Sequence, residues 1–371
     1  MTRRELLTIV GAAPARAARQ APAAPVAIAR ARTYDEDLSG ILGTMFDQLG
    51  GLGGLVKGKT VTVKLNLTGS PGLRLEGRPP GVTHYTHPRV AGALAQLLGR
   101  AGARRIRFVE SCWGTGGPLE EYLLDAGWNV RTLANAAPGV EFENTNAQGR
   151  SKGYARFKVP RGGRIYPAYE LNRAYQDTDV FVSLAKLKEH ELCGVTLSLK
   201  NVFGITPASL YGDDAGREQP NESPTKGRQN VLHEGKRQPS ANAPRELDPN
   251  SSRDPGYRLP RIVAELAAAR PIHLAVIDGI QTLAGGEGPW IRGLRRVEPG
   301  LLIVGTNPVS TDAVATAAMG YDPAARRGQP PFPRADNTLT VAEGLGLGAA
   351  DLKRIEVRGL ALEEARFRFA G

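Results

Sequence analysis

The chain has 371 residues, of which 41% are hydrophobic and 23% charged, a mixture typical of folded globular proteins. Its formal net charge is +11 at pH 7, but six arginines and a single glutamate lie within the first 32 residues, so a large part of the excess is confined to the N-terminal segment. The remaining charge is spread over a long chain with only 6% aromatic residues, which argues against a nucleic-acid-binding surface and favours small anionic ligands as partners.

The cysteine content restricts the possible cofactors. Cys112 and Cys193 are the only cysteines, and neither belongs to a C-x-x-C pair. The chain therefore cannot supply the thiolates of an ordinary iron–sulfur cluster, and a thiolate zinc site is excluded for the same reason. We expect two separate buried thiols, with a disulfide as the alternative if the protein is exported. No apolar run reaches the length of a transmembrane segment.

The N-terminal segment has the order of a twin-arginine export signal. Paired arginines precede a short apolar stretch, residues 6–13, and an A-x-A sequence follows at residues 21–23. A proline and an arginine interrupt this region, so a basic tail on a cytoplasmic protein is the alternative. We assign residues 1–32 to an export-signal-like segment and linker, and residues 33–371 to one folded domain.

From residue 58 onward, short β-branched runs alternate with helical stretches, which predicts βαβ units. The predicted strands are residues 60–67, 106–110, 129–133, 179–184, 272–277 and 301–305. The predicted helices are residues 87–102, 119–126 and 308–319. Together they predict an α/β fold that has a mostly parallel sheet with helices on both faces.

Residues 207–259 differ in composition from the rest of the chain, because proline, glycine, asparagine and serine become frequent there. We interpret this segment as a long irregular insertion within the domain and not as a second domain. Irregular segments of this length in a compact domain are usually functional lids or mobile loops.

Polar side chains follow several predicted strands, at the edge where open α/β sheets hold their ligands. Lys64 and Asn66 project to the same side of the first strand, because side chains alternate along a strand. A lysine buried in a sheet needs an anionic partner, so Lys64 indicates either an anionic ligand or a structural pair with a carboxylate. His87, at the start of the next helix, is a candidate proton carrier or metal ligand, with a structural helix cap as the alternative.

Three acidic residues are candidate metal ligands. Glu110 ends the second strand, Asp278 follows the strand at residues 272–277, and Asp312 lies in the first turns of the helix after the last strand. Carboxylates from neighbouring strands can hold a divalent cation together or transfer protons. For Asp312, the alternative is that its charge complements the dipole of its own helix.

The segment with the most candidate residues runs from residue 183 to residue 204, where lysines alternate with leucines. Lysines after a strand can neutralise phosphates or carboxylates, and serine or asparagine can add directed hydrogen bonds. His190 is a candidate for moving a proton. A solvated basic face is the usual alternative, but the apolar residues around Lys200 predict that this lysine is partly enclosed. The candidate ligand-binding residues here are Lys186, Lys188, Ser198, Lys200 and Asn201.

These polar segments occur in a fixed order along the chain: Lys64-x-Asn66, Thr86-His87-Pro88, Lys186-Leu187-Lys188-x-His190, residues 194–201 (GVTLSLKN), Asp278-Gly279 and residues 307–313 (NPVSTDA). That order resembles the Domain of Unknown Function 362 family over about residues 58–358. The resemblance implies a single α/β domain in a family often described as iron–sulfur associated, because many members carry a ferredoxin-like cysteine module. This chain lacks such a module, so a redox role would require a separate partner protein.

Two hypotheses of function follow. In the first, the protein is an exported enzyme with a metal-assisted or redox-linked role, whose lysines bind a small anionic substrate. His87 or His190 would then move a proton, and Asp278 and Asp312 would hold a metal ion. In the second, the same lysines serve a non-catalytic module that binds or delivers an anionic cofactor or metallocofactor. Turnover of the ligand distinguishes the two.

Overall fold

The computed structural model describes residues 20–146 and 153–369, which form a central sheet, three small two-stranded sheets and surrounding helices. The strands are β1 (Val26–Arg30), β2 (Thr60–Lys64), β3 (Arg105–Glu110), β4 (Val140–Asn144), β5 (Tyr154–Lys158), β6 (Ala168–Asn172), β7 (Val180–Lys186), β8 (Glu189–His190), β9 (Gly194–Val195), β10 (Leu274–Gly279), β11 (Thr282–Ala284), β12 (Arg295–Val297), β13 (Leu301–Gly305) and β14 (Val357–Gly359). The helices are α1 (Leu38–Gln48), α2 (Gly53–Val56), α3 (Pro88–Arg100), α4 (Leu119–Asp125), α5 (Val130–Ala134), α6 (Leu197–Asn201), α7 (Ala208–Tyr211), α8 (Pro255–Ala269), α9 (Pro308–Ala318), α10 (Thr338–Gly344) and α11 (Leu362–Ala365).

The central sheet has eight strands in the order β14-β1-β13-β10-β7-β2-β3-β4. The strands from β10 to β4 pair in parallel, as do β1 and β14. Only β13, within the described sheet, runs antiparallel to both of its neighbours, β1 and β10. The predicted α/β fold with a mostly parallel sheet is therefore confirmed.

Two hydrophobic cores cover the two faces of the sheet, because buried side chains alternate between the faces along each strand. The first core joins α1, α3 and α4 to residues such as Val63 of β2 and Leu184 of β7. The second core joins α6, α8 and α9 to the opposite face, through residues such as Phe181 of β7 and Ile277 of β10. Helices therefore pack on both faces, as the sequence predicted.

Two predictions about individual strands were wrong. Residues 129–133 were predicted as a strand, but Val130–Ala134 forms α5, because the Asn129 side chain accepts a hydrogen bond from the Thr132 N–H and starts a helix. The strand at residues 301–305 was predicted to be parallel. It returns beside β10 after a small β-hairpin and without a crossover helix, which gives an antiparallel pair. The sequence analysis made no strand prediction for β1, which precedes residue 33 and is paired on both sides within the sheet.

The segment at residues 207–259 is irregular, as predicted. It contains α7, one π-helical turn (Gln229–His233) and the first residues of α8. Val231 and Leu232 are fully buried and belong to the second core, so this insertion packs against the domain.

No helix in the described part of the chain combines the length and the apolar character needed to cross a membrane. The predicted export signal falls mainly on residues 1–19, which lie outside the described residues.

Candidate functional site

A cavity of about 700 Å³ opens at the carboxyl ends of β2 and β3. This volume is in the usual range for sites that bind small organic molecules, roughly 300–1,000 Å³. Its walls come from the ends of these strands, from α6, from the insertion and from the loop at residues 287–291. Its charged and histidine lining residues are Lys64, Glu110, His190, Glu191, Lys200, Asp213, Arg228, His233 and Glu287.

Lys64 and Glu110 form a buried ion pair in the wall of the cavity. Lys64 Nζ lies 2.6 Å from Glu110 Oε1, and the two side chains are 1% and 4% exposed. Burial lowers the pKa of Lys64 and raises the pKa of Glu110, while the attraction between the two charges opposes both shifts. The second carboxylate oxygen accepts the Leu67 N–H at 2.9 Å. The structure thus gives Lys64 the carboxylate partner that was one of its two predicted roles.

Gly204 lies directly against this ion pair. A Cβ atom at position 204 would lie 2.7 Å from Lys64 Nζ and 2.8 Å from Glu110 Oε1, which is closer than real Cβ contacts. The Gly204 carbonyl also accepts the Ser111 N–H at 3.3 Å. The absence of a side chain at position 204 therefore allows the backbone to pack on the buried charges.

We expect the Gly204→Ala substitution to lower the free energy of unfolding by about 1–3 kcal/mol, because the new methyl group displaces one member of the pair. Gly92→Ala is the matched control. Gly92 lies inside α3, where an added Cβ meets nothing within 4 Å. It should raise the free energy of unfolding by about 0.5–1 kcal/mol, because alanine favours helix more than glycine does. Urea denaturation of both variants checks the prediction, and equal effects of the two substitutions would contradict it.

Asn66 and Asn201 complete the wall beside Lys64, as their positions in the sequence predicted. Asn201 Oδ1 accepts hydrogen bonds from Lys64 Nζ at 3.3 Å and from Asn66 Nδ2 at 3.2 Å. Asn201 Nδ2 donates to Ser183 Oγ at 3.0 Å. Asn66 Oδ1 is buried and has no hydrogen-bond partner among the described residues.

Lys200 and Arg228 line the same cavity, and neither forms an ion pair with a described residue. Lys200 Nζ has no hydrogen-bond acceptor in the described part of the chain and lies 4.4 Å from the centre of the Phe203 ring. Among the described residues, Arg228 donates to two backbone carbonyls, those of Thr206 at 2.7 Å and Ser111 at 3.3 Å. Burial is the main cause of the lowered pKa of Lys200, and the charge of Arg228 adds to it. Neither cation forms an ion pair within the described ranges, although the charge of Glu287 opposes the lowering of the Lys200 pKa and that of Glu110 opposes the lowering of the Arg228 pKa.

Two histidines in the wall are uncharged at neutral pH. Burial lowers the pKa of His190 to about 3 and that of His233 to about 4. His190 Nδ1 accepts the Leu192 N–H at 3.1 Å and lies 3.8 Å from Glu287 Oε2. Glu287 in turn accepts the Glu191 N–H at 2.9 Å. His190 therefore lies in the cavity wall, and its role in proton transfer stays a prediction.

Lys186, Asp278 and His87 form a separate buried cluster that does not line the cavity. Lys186 Nζ lies 3.0 Å from Asp278 Oδ2, and both side chains are 0% exposed. Tyr34 donates to Asp278 Oδ1 at 3.0 Å, and the backbone N–H of His87 donates to Oδ2 at 3.0 Å. The Tyr34 and His87 rings are stacked with their centres 3.6 Å apart. This network joins the end of β10 to the start of α3.

Lys188 is also buried, and it binds backbone next to the cavity without lining it. Its Nζ donates to the backbone carbonyls of His84 at 2.6 Å and Glu287 at 3.0 Å. Burial lowers the pKa of Lys188 to about 7. It therefore holds the loop that carries Glu287 and does not itself face the cavity.

Asp312 caps α6 from the neighbouring helix α9. Its Oδ1 accepts the Ser198 N–H at 2.9 Å and the Ser198 hydroxyl at 2.6 Å, and its Oδ2 accepts the Leu199 N–H at 2.8 Å. The next turn of α6 carries Lys200 and Asn201. Ser198 and Asp312 thus orient the segment that presents Lys200 to the cavity.

The three predicted metal ligands have different protein partners, Glu110 with Lys64, Asp278 with Lys186 and Asp312 with Ser198. In the described ranges, no group of three or more His, Cys, Asp or Glu side chains could hold a metal ion. Their metal-binding role stays a prediction.

The titration of Asp312 should be visible in the pH dependence of stability. Burial raises the pKa of Asp312 from 3.8 to about 7, although its hydrogen bonds with Ser198 and Leu199 oppose the shift. Between these values the folded protein binds a proton that the unfolded chain does not bind, so the free energy of unfolding should fall as the pH rises from about 4 to about 7. Asp312→Asn should lack this component. Urea denaturation over that range checks the difference, and parallel pH profiles for the two proteins would contradict it.

Several lining residues were not among the predicted site residues. Arg228 and His233 come from the insertion, whose irregular sequence gives no periodicity from which their direction can be predicted. Glu287 and Trp290 lie in or next to the glycine-rich turn after β11, and Trp113 follows β3. The tryptophans in these polar turns were a sequence signal that could have indicated the site.

The two cysteines, Cys112 and Cys193, are both buried, and neither forms a disulfide.

A family model described as "Domain of unknown function (DUF362)" matches residues 61–317 of the chain. A protein of Synechocystis sp. named as thylakoid-associated is 27% identical over 310 residues, which cover 81% of this chain and 75% of that protein. A crystal structure of a Thermotoga maritima protein aligns at 16% identity with a TM-score of 0.35. That alignment covers 73% of this chain and 56%, little more than half, of the Thermotoga maritima chain.

Proposed function

The chain belongs to the family described as domain of unknown function 362, and from that premise we propose that its cavity binds a small organic anion. The observation that carries the proposal is Lys200, whose ammonium group lines the cavity without an ion pair in the described residues. Lys200 is half-buried, and removing a charge from water even in part is unfavourable unless the charge is paired. An anionic ligand would supply the missing partner.

Arg228 supports the same conclusion. Its charge contributes to lowering the pKa of Lys200, so the two cations are close enough to repel each other. A carboxylate or phosphate placed between them would replace this repulsion with two charge-assisted hydrogen bonds. Lys64, by contrast, already has Glu110 as its partner and contributes little net charge.

The polar wall gives the ligand its orientation in this proposal. Asn66 and Asn201 line the cavity beside each other and are joined by a hydrogen bond of 3.2 Å. Hydroxyl or N–H groups on the ligand, in addition to its charge, would add directed hydrogen bonds with these neutral amides. His190, which also lines the cavity, is the group we propose for proton transfer if the ligand reacts.

Native mass spectrometry with elemental analysis, on protein purified from its own compartment, is the first test. We expect a bound organic anion, released on denaturation, and its identity would name the chemistry to assay. Incubation of that compound with the protein then separates an enzyme, which changes it, from a binding or delivery module, which releases it unchanged. Protein that neither carries nor takes up any organic anion would contradict the proposal.

Export through the N-terminal segment, a bound divalent metal and a separate redox partner belong to this proposal as further components. The same measurement addresses two of them. The intact mass reports whether the N-terminal segment has been cleaved, and elemental analysis reports any stoichiometric metal. Full-length, metal-free protein would remove both components and leave the anion site unaffected.

A further inference from the structure

We infer that the anion bound in the cavity carries a planar aromatic ring, which packs against the indole rings of Trp113 and Trp290. This inference rests on the proposed function and specifies the class of ligand. It starts from the two tryptophans that line the cavity. Trp113 is 46% exposed and Trp290 is 44% exposed, whereas the third tryptophan, Trp128, is buried.

Exposed indole surface is unusual, because tryptophan contributes most to stability when its ring is covered. Leu124 and Leu247 are the other large hydrophobic side chains exposed in the described residues, and neither lines the cavity. Both exposed tryptophans therefore line the cavity, where a ligand could cover them. Exposed apolar surface of this kind marks binding sites.

The indole ring of Trp290 packs against two glycines, Gly69 and Gly288. A Cβ atom at Gly69 would lie 2.4 Å from the indole, and one at Gly288 would lie 2.2 Å from it, so both positions admit the ring only because they lack side chains. Trp290 Nε1 donates to Glu287 Oε1 at 3.4 Å. The ring is therefore held in a defined orientation while almost half of its surface stays exposed.

Trp113 is positioned beside the cationic part of the cavity. Its Nε1 would lie 3.5 Å from a Cβ atom at Gly227, the residue that immediately precedes Arg228. The cavity is also lined by Leu67, Leu73, Phe203 and Ile291. An inorganic anion would pair with Lys200 and Arg228 but leave these apolar surfaces in water. An aromatic anion contacts both kinds of surface, because its charge meets the cations and its ring meets the indoles.

The test compares anions that differ only in the planarity of the ring. Phenyl phosphate is matched with cyclohexyl phosphate, and benzoate with cyclohexanecarboxylate, by isothermal titration calorimetry on the full chain. Stacked aromatic rings attract each other beyond the burial of their area, so the aromatic member of the pair that binds should bind roughly two- to tenfold tighter. Charge and ring size are nearly the same within each pair, so a difference in affinity reports the effect of a planar aromatic ring.

Variants of Trp290 provide the second arm. Trp290→Leu should reduce the affinity for the aromatic anion roughly two- to tenfold and the affinity for its cyclohexyl counterpart by a smaller factor. Trp290→Phe, which keeps an aromatic ring, should retain most of the preference, and it also serves if the leucine variant folds poorly. Trp113→Leu should act in the same direction.

The outcomes separate the two proposals. If both members of a pair bind equally well to the wild-type protein, or if Trp290→Leu keeps the preference, the aromatic inference is overturned while anion binding stands. If no member of either pair binds, and no organic anion is found on the purified protein, both proposals are overturned.

Discussion

Replacing Lys200 with methionine should reduce anion binding roughly 100-fold or more, while the protein remains folded. Lys200 Nζ makes no hydrogen bond or ion pair with the described residues, so its removal leaves no buried carboxylate without a partner. Methionine keeps an unbranched apolar side chain over Phe203. The free energy of unfolding should therefore change by less than about 1 kcal/mol, because Lys200 is only half-buried and its loss leaves no partner unpaired.

The controls for this experiment lie in the same cavity. Lys200→Arg keeps the positive charge and should retain much of the affinity. Lys64→Met removes the partner of Glu110, whose side chain is 4% exposed, and should cost about 3–5 kcal/mol of stability. Calorimetric titration with benzoate or phenyl phosphate measures binding, and urea denaturation measures stability. A Lys200→Met protein that binds as tightly as the wild type would remove the residue on which the proposed site depends.

The strands that carry the site were predictable from the sequence because each is a short apolar run between polar residues. Lys64, Asn66 and Asn201 converge as predicted, since β2 and β7 are parallel and their carboxyl ends lie at one edge of the sheet. The direction of β13 was not predictable in the same way, because the connection that precedes it, not its own composition, decides its pairing.

Lys186 was expected at the same site as Lys64, but the two lysines lie on opposite faces of the sheet. Val182, Leu184 and Lys186 are alternate residues of β7, so their side chains point to the same face of the sheet. That face is the one covered by the first core. Lys64 pairs in register with Ser183, so its side chain points to the face that α6 covers. The sequence shows which side chains of one strand point to the same face. Deciding whether side chains of two strands share a face also requires the register in which the strands pair. That register depends on tertiary packing, which the sequence pattern does not contain.

Two of the residues missed in the cavity have a common origin. Arg228 and His233 come from the insertion, where neither helical nor strand periodicity relates sequence position to direction. The packing of Val231 and Leu232 into the second core fixes this segment and brings Arg228 to the cavity. Buried apolar residues within an otherwise polar insertion are therefore the signal that could have indicated a wall of the site.

Replacing Asp278 with asparagine should lower the free energy of unfolding by about 3–5 kcal/mol, a large part of the roughly 5–15 kcal/mol that stabilises a typical domain. The variant leaves Lys186, which is 0% exposed, without its carboxylate partner. Burial already lowers the pKa of Lys186, and the charge of Asp278 is the main opposing influence. Asp35→Asn is the control, because the Asp35–Arg89 pair is 85% and 58% exposed and should contribute less than about 1 kcal/mol.

The Asp278→Asn experiment also tests the predicted metal-binding role of Asp278. If the carboxylate acts only through Lys186, Tyr34 and His87, adding a chelator to the wild-type protein should not change its stability. The double variant Lys186→Met with Asp278→Asn should recover part of the lost stability, because no unpaired charge then remains buried. If a chelator destabilises the wild type as much as Asp278→Asn does, and has no effect on that variant, Asp278 is a metal ligand and the ion pair does not account for its role. A loss no larger than that of Asp35→Asn would instead mean that Lys186 gives up its proton in the variant, since a neutral amine can remain buried at little cost.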